Sequence, residues 1–171
     1  MPQDDLIAKL ARKIDAAKKT EHFAVDADHV TALRRRGSCE LHSICADFVS
    51  SVNGKLSQAA LDLSPSEYTP ETFREPGVNL IRIGSQGREM QITFEATPQL
   101  VSAEKFLIPY VLEGEVRIFN QRMLERFEIR SQALFFCLEE DNARWRFFDW
   151  RTSRTGPVGS ELLVNLMGRL F

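Results

Sequence analysis

The sequence predicts an α+β fold: N-terminal helices packed on an antiparallel meander sheet of about six strands, closed by a C-terminal helix. Three observations carry it. Apolar residues recur at helical spacing up to Asn53 and at strand spacing after Gly77. Three turn signals then cut the strand-like half into hairpins. A last helical stripe follows Gly159.

The 171 residues fit one domain. Its helical part falls at about 4–53, its sheet part at about 57–151 and its C-terminal helix at about 160–170. Roughly 70% of the unfolded surface can be buried at this size, so stability requires neither disulfide nor metal. The net charge of −2 gives no bulk electrostatic case for nucleic acid or an anionic membrane. No window approaches about 18 uncharged apolar residues, and MPQDDLIAKLARKIDAAKK lacks the features of a secretory signal. An odd count of cysteines, Cys39, Cys45 and Cys137, fits reduced thiols in a cytoplasm.

In chain order, Leu6, Ile7, Leu10, Ile14 and Ala17 follow Asp4 and Asp5 as N-caps of a first helix. Val30 and Leu33 edge a second, from about Asp28 to Arg36, with Gly37 placed to end it. Ser38 reads as a fresh N-cap for Leu41, Ile44, Cys45, Phe48, Val49 and Val52. Asn53-Gly54 suits a hairpin or a helix stop, and the unbroken stripe before it decides for the helix. Ala59–Leu63 reads as a first strand, and proline-rich 64–77 as a loop.

VNLIRI (78–83) and REMQITFEA (88–96) flank GSQG as a hairpin. KFLIPYVL (105–112) and EVRIFN (115–120) flank Glu113-Gly114 as a second, and 126–139 and 144–151 a third. The loop 152–159 leads to a helix whose apolar face is Leu162, Leu163, Leu166, Met167 and Leu170.

Alternation in RWRFFDW (144–150) sends Trp145 and Phe147 to one face, and Arg144, Arg146, Phe148 and Trp150 to the other. Large aromatics stand on both faces, and 107–112 and 133–138 are apolar on both. Such strands need cover on both sides. The N-terminal helices are expected over Trp145. The C-terminal helix, a ligand cavity or a second chain is expected over Phe148 and Trp150.

Catalytic constellations are weak. Cys39, His42 and Cys45 have zinc-like residue types, with His29 or His22 needed as a fourth ligand. Helical geometry separates Cys39 from Cys45 by about 120°, and Cys45 belongs to the apolar stripe. Cys39 with His42 as base lacks a group to orient the histidine. No histidine follows residue 42, which excludes a histidine-based hydrolase built on the sheet. Glu113/Glu115 and Glu139/Glu140/Asp141 read as solvated turn carboxylates, and Gly84–Gly87 lacks the lysine and helix of a phosphate cradle. Arg34–Arg36 complements a helix C-terminus.

The remaining candidate is an arginine–aromatic sheet face: Arg117, Arg130, Arg146, Phe148 and Trp150. Neighbouring glutamates at 115, 125 and 128 explain the arginines as cross-strand pairs. The sequence therefore favours a non-catalytic cytoplasmic binding or accessory domain that self-associates, as a dimer, or holds a protein or small-molecule partner on this face. It implies no cofactor and no metal. One alternative is a small-molecule enzyme with an arginine- and carboxylate-lined cavity between sheet and C-terminal helix, near Cys137. The other is a nucleic-acid-binding sheet, which the charge balance disfavours.

Overall fold

The computed structural model describes residues 3–23, 26–140 and 142–171, with side chains excepted at 17–23. The side chains of Ala17 and His22, and all of Asp141, thus lie outside the described residues. The fold is α+β, with a seven-stranded antiparallel sheet in simple sequential order. Among the described residues no helix is long and apolar enough to cross a membrane.

Two helices open the chain, α1 (Gln3–Phe23) and α2 (Ala27–Asn53). The Asp26 carboxylate accepts from the Asp28 amide and caps α2. The split expected at Gly37 does not occur, and α2 is one helix. Gly37 sits inside it because Phe136 of the sheet comes too close for a side chain: a Cβ there would stand 2.6 Å from the ring. The helix does end at Asn53. That side chain bonds Leu61 twice, donating to its carbonyl (3.0 Å) and accepting from its amide (2.7 Å).

The strands are β1 (Asp62–Ser64), β2 (Asn79–Ser85), β3 (Arg88–Ala96), β4 (Tyr110–Phe119), β5 (Arg130–Leu138), β6 (Ala143–Asp149) and β7 (Arg154–Pro157). The first hairpin is as expected: Gln86 and Gly87 both have positive φ, the two-residue turn that matches strand twist. The second differs. Glu113-Gly114 is no turn but the middle of β4, where Gly114 pairs with Phe94. A Cβ at Gly114 would lie 2.2 Å from the Thr93 carbonyl oxygen, so glycine serves close strand approach rather than chain reversal. Residues 105–109 belong to a loop, and β4 reaches β5 through a short helix, α3 (Gln121–Glu125). The stretch 152–159 contains β7 rather than being all loop.

Helix α2 alone spans the sheet. Its 27 residues measure about 40 Å, against about 29 Å across seven strands. It buries Val30, Leu41, Cys45, Phe48 and Val49 against Ile81, Ile92, Leu134, Phe136 and Trp145. The closing helix α4 (Ser160–Gly168) packs beside α2 and adds Leu162, Leu163, Leu166 and Met167 to the same core. Of the covers expected over Phe148 and Trp150, the C-terminal helix, a ligand cavity or a second chain, the first is thereby excluded. The apolar face of α4 is turned to the α2 core rather than to that side of the sheet.

The expectation that the N-terminal helices cover one sheet face holds for α2 and is corrected for α1. Among the described residues the main core takes none from α1. Leu6, Ile7, Leu10 and Ile14 are instead between 52% and 58% exposed.

Two substitutions test this architecture. Gly37→Ala gains helix propensity of about 1 kcal/mol but overpacks Phe136, which is fully buried and held against Trp145. The clash should win, with a net loss of roughly 1–2 kcal/mol in urea denaturation. A Gly37→Ala protein more stable than wild type would contradict the packing described. Phe127, by contrast, follows α3 with φ 54° and is 94% exposed. Its amide donates to the Leu124 carbonyl and the Glu128 amide to the Met123 carbonyl, the helix-ending motif that prefers glycine. Phe127→Gly should raise stability by about 0.5–1 kcal/mol. A loss would mean the ring holds a contact.

Candidate functional site

The sheet face opposite α2 and α4 is assembled from the alternate residues of β2 to β6. Register aligns Leu80, Thr93, Glu115, Ala133 and Phe148 in one row. The next row holds Glu95, Glu113, Phe135 and Arg146. One end is covered by the loop 97–109. Phe106 stacks on Phe135 (4.9 Å between centroids) and tilts against Phe148 (5.7 Å). The buried Tyr110 hydroxyl accepts from the Lys105 amide at 3.0 Å and pins that loop. The two-sided apolar pattern of 107–112 and 133–138 is thereby explained by the chain itself.

Beyond Phe106 the face is open, and a groove of about 350 Å³ runs over it. Glu95, Glu113 and Glu115 supply carboxylates, Thr93 and Ser131 hydroxyls, and Phe135 and Trp150 aromatic surface. Glu95 and Glu113 are directly opposed across β3 and β4, an arrangement that costs stability in a sheet. One cation enters, the Lys105 ammonium, 3.3 Å from Glu113, and the Glu113 carboxylate holds its pKa above the ordinary value. The groove lining thus carries three carboxylates and one ammonium, with Arg117 beside it on Glu115.

Of the residues singled out from sequence, Trp150 lines the groove, 63% exposed and edge-on to Phe148 at 4.5 Å. Phe148 lies beside it, half-buried under Phe106. Arg117 and Arg146 share the face but are committed, Arg117 to Glu115 (2.5 Å) and Arg146 to Glu139 (2.5 Å). Arg130 is not brought to them. It pairs with Ile118 and so stands on the α2 side, at the exposed start of β5. The carboxylates were the missed component. Their signal was Glu-Gly-Glu inside an otherwise strand-like run, hidden because glycine suggested a turn.

The cysteine–histidine cluster on α2 does not form a reactive centre. The His42 Nε2 is 2.7 Å from the Pro65 carbonyl oxygen and its ring stacks on Tyr68, so it is occupied away from Cys39. Burial pushes the Cys39 thiol up, and the Cys45 thiol up to about 12. Both are held as thiols, the unreactive form. His29 is exposed, and among the described residues no group of three or more His, Cys, Asp or Glu side chains is placed to hold a metal. Cys137 is buried, donates to the Phe135 carbonyl (3.6 Å) and is likewise raised by burial. Arg34, read as a helix-end charge, is a buried structural residue in mid-helix.

Fold and site together define a class: an α+β domain with one sheet face sealed by helices and the other bearing an open carboxylate–aromatic groove. No family model, curated protein or solved structure matches the chain.

Proposed function

We propose that this chain is a non-catalytic cytoplasmic binding or accessory module whose working surface is the second face of its sheet, where it self-associates. The carrying observation is Trp150: a large aromatic, 63% exposed, at the rim of a groove that no helix covers. Tryptophan is enriched among the residues that anchor protein contacts. The pairing of Arg117 and Arg146 with glutamates favours this over nucleic-acid binding, because their charge is already balanced. Three free cysteines fit a reducing compartment.

Trp150→Ala tests the reading. Measured below the dissociation constant of the assembly, the variant should keep the wild-type melting curve, since the ring is mostly in water. It should lose about 2 kcal/mol of association, roughly thirtyfold in dissociation constant, by sedimentation velocity. Unchanged assembly and unchanged stability together would show that the tryptophan is only an exposed residue and sink the proposal.

A further inference from the structure

The geometry points to α1 of a second copy of this chain as the occupant of the groove, an inference that rests on the second sheet face being the working surface. At about 100° per residue, Leu6, Ile7, Leu10 and Ile14 fall in one stripe about 100° wide. That stripe faces water. On the opposite side Ala16 is buried and Ala8 half-buried, while Asp5, Arg12 and Asp15 are exposed. A helix so oriented leaves its apolar face to be covered by something else.

The groove side shows matching unmet surface. Trp150 and Val78 line it and are exposed, and Leu80 stands exposed in the row with Thr93 and Glu115. The charges are complementary. Glu95, Glu113 and Glu115 meet two cations, Lys105 beside Glu113 and Arg117 beside Glu115, whereas Lys9 to Lys19 holds five basic residues against Asp15. Lys9 and Lys13 are exposed along one edge of the apolar stripe.

A second copy fits better than the chain's own α1. Among the described residues none of α1 lines the groove of its own chain, so docking within one chain would require the helix to move, whereas docking on another copy requires neither surface to do so. The exchange is also reciprocal: each copy offers one helix and one groove, which closes a two-fold dimer.

Sedimentation velocity of the full chain tests the exchange. Wild type should be a dimer and Leu10→Asp/Ile14→Asp a monomer, with the same melting curve once both are diluted below the dimer's dissociation constant. Glu95→Lys/Glu115→Lys on the groove and Lys9→Glu/Lys13→Glu on the helix should each weaken self-association by roughly tenfold or more. An equimolar mixture of those two variants should recover the dimer, because each then meets an opposite charge. If the aspartate pair loses helix by circular dichroism, that charge-swap mixture decides alone. A dimer broken by Trp150→Ala and the groove variant but indifferent to every helix variant would overturn α1 as occupant and leave the groove as working surface. A wild-type monomer at about 100 μM overturns the exchange. A dimer indifferent to groove and helix changes alike overturns both the exchange and the reading beneath it.

Discussion

Trp145→Ala should unfold much of the molecule at ordinary temperature. The indole is 3% exposed and packs edge-on to Phe94 (5.9 Å) and against Phe136 (5.4 Å). Its N–H donates to the Gly37 carbonyl across 2.6 Å, joining β6 to the middle of α2. Removing the ring opens a cavity where helix and sheet meet and costs about 3–5 kcal/mol. Domains of this kind have only about 5–15 kcal/mol in total. Trp145→Phe keeps a ring and loses the bond, so its cost should be nearer 1–2 kcal/mol. Urea titration followed by far-ultraviolet circular dichroism separates the two. A loss below about 1 kcal/mol for the alanine variant would refute the central place given to this side chain.

The second large effect is expected at Arg34. Its guanidinium is buried under the loop 97–109 and donates through Nε to the Val111 carbonyl (3.0 Å). Through Nη2 it reaches the carbonyls of Gln99 (3.0 Å) and Leu100 (3.2 Å) and the Thr97 hydroxyl (3.0 Å). Nη1 pairs with Glu75 of the loop before β2. Arg34→Ala strands several of these acceptors and leaves Glu75 without its cation, at a cost of about 3–5 kcal/mol. Arg34→Lys should recover little, since an ammonium cannot reproduce the planar fork. Hydrogen exchange should then rise through 97–109, the loop that carries Phe106 over the sheet. An Arg34→Lys protein with wild-type stability and exchange would show that charge alone is needed there.

The parts of the fold legible in sequence are those set by local periodicity. The stripe from Leu41 to Val52 marked helix, and the Met90, Ile92, Phe94 alternation marked a strand with one wet face. Glycine was the ambiguous letter. Gly87 marks a turn through positive φ, but Gly37 and Gly114 are glycines because another element lies where a side chain would be. Sequence cannot distinguish these uses, since the neighbour that excludes the Cβ is distant along the chain.

The candidate site divides the same way. By itself the sequence determined the class of fold, the first and third hairpins and the alternation of faces along β6. Those follow from backbone geometry and alternation, which are local. Only the tertiary structure decided that α4 joins α2 on one face, that Phe106 folds over the other, and that Glu95, Glu113 and Glu115 converge around what remains. Helix placement depends on which of two apolar surfaces is covered first. Convergence depends on strand register, in which Glu95 meets Glu113 across an interval of 18 residues, and neither quantity is written in any short stretch of chain.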